Sequence, residues 1–290
     1  MWIYFTLLAA SMQSWRNAFQ SKLSQEVNVT GVTLARFIWA GPIAALYLLG
    51  LYQWQDASWP QISPALIFFI VGASLMQIIA TALMVKLFQL NNFAVGAGLA
   101  KSEALVAAIL GTIFFGTSLT WFGWGGVMVG AVAIFIMSTT QGLKGLSLKT
   151  MSIGLASGTC FALTSLWVRE ASLTLDLPVL HRAGWVLLSV ISLQTILMVS
   201  YLLLKDRLTL SALWQRPRLT LLTSATSCFG SIGWFSAMAL QAVPYVKTLG
   251  QVEVFFTMLI AVFWLKQSVK IKDGLGLILI AIAAVMVMWV

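Results

Sequence analysis

An all-α integral membrane protein of ten transmembrane helices, folded as two inverted five-helix repeats, is what this 290-residue chain predicts. Three observations lead there: its composition, the spacing of its apolar runs, and an internal repeat. Hydrophobic residues make up 60% of the chain and charged residues 9%, with a mean hydropathy of +0.95. A soluble globular chain carries about 25% charged residues, so this one could not cover a water-facing surface. A spanning helix needs about 20 mostly apolar residues, and the backbone must satisfy its own hydrogen bonds in lipid. Short alternating strands, the mark of a membrane barrel, do not occur in the sequence.

The first predicted span is Trp2–Ser21. It lacks a basic start and a small-residue cleavage site, so it reads as a retained helix rather than a signal peptide. Val29–Leu51, Pro64–Phe88, Ala94–Phe115 and Leu119–Ser138 follow, and complete a first repeat over residues 1–140. Ser152–Arg169, Pro178–Leu204, Leu219–Leu240, Tyr245–Leu265 and Gly274–Val290 form a second over residues 150–290. The longest break, Lys205 to Arg218, is too short for a soluble domain, so function must lie within the bundle.

The repeat is visible at a constant offset of 150, where Leu99 meets Leu249, Glu103 meets Glu253 and Gly126 meets Gly276. With a slightly shifted offset, Arg36-Phe-Ile-Trp39 is similar to Arg182-Ala-Gly-Trp185. Five helices is an odd number, so the second repeat enters the membrane from the opposite side. Inverted repeats place a binding site near the midplane between the halves, and alternating access follows from their symmetry.

Ionisable side chains at membrane depth cost about 2.5–3.5 kcal/mol or more and usually face the bundle interior. Arg16, Lys101, Glu103 and Glu253 are the deep candidates. Asn17 and Gln251 lie beside them as candidate ligand-bonding groups. Together, Arg16, Asn17, Lys101, Glu103, Gln251 and Glu253 are the expected substrate-binding or coupling residues, between helices one, four and nine. Arg36, Lys86, Arg169, Arg182 and Lys247 lie nearer helix ends, where snorkelling explains them. Low dielectric disfavours a charged carboxyl, which makes proton coupling one reading of the two glutamates. Gly126 and Gly130 form a small-residue face suited to close packing within the chain, or to a dimer seam. The chain is thus expected to be a monomer or a dimer.

Several residues resemble the ten-helix drug/metabolite transporter superfamily, with two EamA-type repeats. They are Trp15-x-x-x-Phe19-x-x-Lys22 in the first span, Ala35-Arg36-Phe37 in the second, and the glycine-rich run from Gly123 to Gly130 in the fifth. The resemblance covers essentially the whole chain. Departures occur where the family often has proline, at Ala104 and Val254, and where it often has Gly-Glu, at Gly116-Thr117 and Lys266-Gln267. The resemblance implies a multi-pass protein of the cell (inner) membrane. It further implies a secondary transporter of a metabolite, amino acid or drug-like solute; members of the family are exporters or importers, and an exporter is the expectation here. It also implies cytoplasmic termini, whereas the Lys/Arg bias of the loops places both termini outside. The two arguments agree that both termini share one side.

Other classes fit less well. No HExxH, Gly-x-Ser-x-Gly, Walker or Cys/His cluster appears, and His181 is the only histidine. The expectation is therefore no enzyme, no cofactor and no metal. The net charge of +9 sits in short loops rather than on a basic face, which argues against nucleic acid. A channel or a structural membrane subunit is the alternative to a carrier. The expected partners are the lipid bilayer and a small solute, either anionic or amphipathic.

Overall fold

The computed structural model describes residues 1–90, 102–140, 148–263 and 271–289. It is helical over 85% of its length, with no strand among the described residues. The helices, in order, are α1 (Trp2–Leu23), α2 (Val29–Ala35), α3 (Ala40–Trp54), α4 (Pro64–Leu90), α5 (Glu103–Phe114), α6 (Trp121–Thr140), α7 (Leu148–Leu173), α8 (Val179–Lys205), α9 (Arg207–Trp214), α10 (Pro217–Leu240), α11 (Val243–Leu249), α12 (Glu253–Phe263) and α13 (Ile271–Met288). Lys101 and the beginning of the predicted fourth span lie outside the described residues.

Four stretches are long and apolar enough to cross a membrane: Val29–Trp54, Pro64–Leu90, Leu148–Leu173 and Val179–Lys205. Their outward faces carry Leu46, Leu49, Phe68 and Ile196 more than half exposed, and Ile113, Phe122 and Ile278 extend that apolar surface on shorter helices. A surface so rich in large apolar side chains belongs in lipid. The protein is therefore a helical membrane protein.

The tightest helix packing joins α1 to α10, α4 to α7, and α6 to α13, with α3 against α8. Small residues permit these approaches. A Cβ built at Gly233 of α10 would fall 2.6 Å from the Phe5 carbonyl oxygen of α1. One at Gly126 of α6 would fall 3.2 Å from the Ala283 carbonyl oxygen of α13, so this face is used within the chain. Helices α1 and α10 bury an unusual set of polar groups, among them Ser14, Arg16, Asn17, Gln20, Ser224, Ser227 and Ser231. That polarity lowers their hydropathy and keeps them out of the four long apolar stretches. It also turns toward the centre of the bundle.

Two predicted continuous spans are broken. The second divides between Ala35 and Ala40, where the backbone turns through residues 36–39. Ser224 of α10 explains the break. Its hydroxyl donates to the Ala35 carbonyl at 2.6 Å and accepts from the Trp39 amide at 3.1 Å. A regular helix would pair that amide and that carbonyl with each other, so a side chain from another helix is inserted into the ladder. Thr195 adds a second donor to the Phe37 carbonyl at 3.2 Å, beside the Ala40 amide at 3.0 Å. The ninth span also breaks: α11 passes into α12 through a 3₁₀ turn at Gly250–Val252. The loop expected between Lys205 and Arg218 contains the short helix α9, capped by Asp206, whose side chain accepts from the Thr209 amide at 3.1 Å.

Candidate functional site

Polar side chains from α1, α4, α5, α7, α10, α11, α12 and the 36–39 turn converge on one central cavity. Its volume is about 30 Å³, small for an organic solute. A solute would need the surrounding helices to part.

Helix α1 supplies a polar stripe. Gln13, Arg16 and Asn17 recur at i, i+3 and i+4, which stacks them on one helical face. All three reach the cavity. Gln13 Nε2 donates to Glu253 Oε2 at 2.5 Å, and Asn17 Nδ2 donates to Glu253 Oε1 at 2.8 Å. Ser14 adds a bond to the Glu253 backbone carbonyl at 3.0 Å. Arg16 does not touch a carboxylate directly. Its Nε and Nη2 both donate to Asn17 Oδ1, at 3.2 and 2.7 Å. Asn17 therefore stands between the guanidinium and Glu253, donating to one and accepting from the other.

Glu103 and Glu253 occupy matching places, each the first residue of its helix, α5 and α12. The positive end of a helix favours a carboxylate there. Glu103 Oε1 lies 2.8 Å from Lys247 Nζ of α11 and accepts from Ser165 Oγ of α7 at 2.9 Å. Lys247 also sits 4.1 Å from the centre of the Trp234 ring, within cation–π range. Trp234 Nε1 donates to Gln13 Oε1 at 2.8 Å. A continuous polar path thus runs from Glu103 through Lys247, Trp234 and Gln13 to Glu253.

Four of the six expected site residues come together here: Arg16, Asn17, Glu103 and Glu253. Gln251 does not. It is buried against Gly130, where a Cβ would fall on its side-chain amide, and it does not line the cavity. It stands two residues before Glu253, and residues two apart do not share a helical face. Lys101 lies outside the described residues.

Two residues assigned to snorkelling belong to the site. Lys247 is about nine-tenths buried at the ion pair with Glu103, and Arg36 is 3% exposed. Arg36 donates to Ser227 Oγ at 3.1 Å and to Thr81 Oγ1 at 2.7 Å. Its guanidinium lies 5.5 and 5.8 Å from the rings of Phe37 and Phe161. Both misreadings share a cause: nearness to a span end does not tell whether a side chain turns into the bundle, and both of these do. Gln13 was also missed, although its spacing from Arg16 and Asn17 is readable in the sequence. The site is wider than helices one, four and nine, because α4, α7 and α10 also line it.

His181, the only histidine, is fully buried away from the cavity, edge-on to the Tyr52 ring at 4.8 Å. The cysteines Cys160 and Cys228 are free thiols, and Cys228 packs against the Ala40 carbonyl.

Fold and hydropathy define the class, a helical membrane protein with a charged, buried centre. No protein-family model and no curated protein sequence matches the chain. The fold itself has solved counterparts: one crystal structure, described only as that of a protein, superposes with a TM-score of 0.73. It shares 14% sequence identity and covers 98% of this chain and 98% of its own. At that identity the likeness speaks for the fold alone.

Proposed function

We propose that the protein is a secondary carrier for a small solute, built from ten spans in two inverted five-helix repeats and working by alternating access. The observation that carries the reading is the matched pair of buried carboxylates. Glu103 and Glu253 begin corresponding helices and line the same cavity. Each is held by groups from the other half of the chain, Glu103 by Ser165 and Lys247, and Glu253 by Gln13 and Asn17.

The packing supports two repeats. An offset near that of the two glutamates exchanges α1 with α7 and α4 with α10. The α1–α10 interface then becomes the α7–α4 interface, while α6–α13 and α3–α8 map onto themselves. A broken helix beside a central charged site is the arrangement that carriers use to bind solutes. With the resemblance noted above, this favours membership of the drug/metabolite transporter superfamily and a place in the cell (inner) membrane.

The test is counterflow. Reconstituted protein, assayed with labelled amino acids and organic acids, is expected to show saturable uptake accelerated by the same unlabelled solute inside the vesicle. Flux linear in concentration, together with unitary currents, would overturn the carrier in favour of a channel.

A further inference from the structure

Arg16 and Arg36 are both 3% exposed and both line the cavity. Neither has a carboxylate within ion-pair distance among the described residues; the ion pairs there are Lys247–Glu103 and Arg216–Glu26. Their hydrogen bonds go to neutral groups: an amide oxygen for Arg16, two hydroxyls for Arg36. Each guanidinium carries five N–H donors. Arg16 Nη1 and Arg36 Nη2 make no hydrogen bond to a described residue, and both residues line the cavity. The two cations also repel each other: Arg16 is the charged neighbour that acts most strongly on Arg36.

The charge balance points the same way. The described lining residues include three cations, Arg16, Arg36 and Lys247, against two carboxylates, Glu103 and Glu253. Lys247 is matched by Glu103, and Glu253 is the carboxylate that acts most strongly on Arg16. The carboxylate that acts on Arg36 is Glu103, which is already paired with Lys247, so among the described lining residues the cations outnumber the carboxylates by one. An uncompensated charge in a low-dielectric interior is costly, and a planar guanidinium fork suits a carboxylate. Around these groups the lining is apolar and aromatic, with Phe161, Trp234, Phe235 and Met238.

We infer that the cavity binds an organic monoanion, a carboxylate on an apolar body, with the carboxylate held by Arg16 and Arg36 and the body against Trp234 and Phe161. The inference rests on the carrier reading for its biological sense, but its test reads binding rather than transport.

The experiment is calorimetric titration of the full-length protein in lipid nanodiscs at constant ionic strength. The probes are 3-phenylpropionate and its neutral analogue 3-phenylpropionamide. The acid is expected to bind about tenfold or more tightly than the amide, since a charge-assisted hydrogen bond contributes at least that much. Arg36→Gln and Arg16→Gln are each expected to abolish this preference, and Arg36→Lys to restore part of it. Equal binding of acid and amide, or no binding of either, overturns the inference. So does an undiminished preference in both glutamine variants. The acid–amide comparison uses the wild-type protein, so a variant that fails to fold does not remove the test. Counterflow of neutral solutes alone would sink the anion site and keep the carrier. Preference for the acid without counterflow would do the reverse.

Discussion

Lys247 Nζ lies 2.8 Å from Glu103 Oε1, an ion pair that joins α11 to the first residue of α5. Both side chains are about nine-tenths buried, so the pair is matched in a setting where neither charge tolerates isolation. Removing one member should cost about 3–5 kcal/mol, whereas removing both should cost much less. Lys247→Met and Glu103→Gln are expected to lower the melting temperature sharply, and the double variant to recover most of that loss. A thermal-stability cycle on purified protein checks this; additive losses would contradict the pairing.

Glu253 is the acceptor for both Gln13 and Asn17. If it exchanges a proton during transport, Glu253→Gln should leave counterflow in place while removing acceleration by a pH gradient. Glu103→Gln provides the parallel case. Proteoliposome uptake with and without an imposed gradient measures it, and unchanged coupling in both variants rules out a proton role for either acid.

Ser224 holds the break between α2 and α3 open. With Ser224→Ala, the Trp39 amide and Ala35 carbonyl can pair directly, so the expected loss of stability is small, about 1 kcal/mol. The consequence should fall on Arg36, which sits in the turn that the serine maintains. Affinity for 3-phenylpropionate is therefore expected to drop several-fold while the melting temperature barely moves.

Gly233 and Gly50 should respond oppositely to alanine. A Cβ at Gly233 meets backbone atoms of Phe5 and Ala9 within about 3 Å, at the tightly packed α1–α10 interface. Overpacking there should cost about 1–3 kcal/mol. Gly50 has nothing within 4 Å, so alanine should be neutral or stabilise α3 by up to about 1 kcal/mol through helix propensity. Melting temperatures of the two variants give the comparison.

Asp206 caps α9 through the side chain and the amide of Thr209, and these bonds hold its carboxyl below the usual range. A depressed folded-state value means that the capping contribution is complete above the unfolded value, about 3.9. It is then lost as pH falls through the lower folded value. Amide exchange in residues 207–214, corrected for intrinsic rates, should accelerate below about pH 4. Asp206→Asn, which caps without titrating, should flatten that dependence.

Much of this architecture is readable from residue order. The helices follow from hydropathy because lipid leaves the backbone few alternatives. The Gln13, Arg16, Asn17 stripe follows from helical period, and the two glutamates from their shared offset. The breaks at 36–39 and 250–252 are not readable this way. The first depends on Ser224, far along the chain, and at the second Gly250 packs against Trp234, where a Cβ would meet the indole.

The sequence by itself therefore determined that this is a helical membrane protein, with Arg16, Asn17, Glu103 and Glu253 as its central polar groups. Periodicity and desolvation cost are local properties, legible one segment at a time. Only the tertiary structure decided that Arg36 and Lys247 join that centre, and that Gln251 packs against Gly130 instead. Depth and facing within a bundle depend on where helices break and what they pack against, and those contacts come from residues distant in sequence.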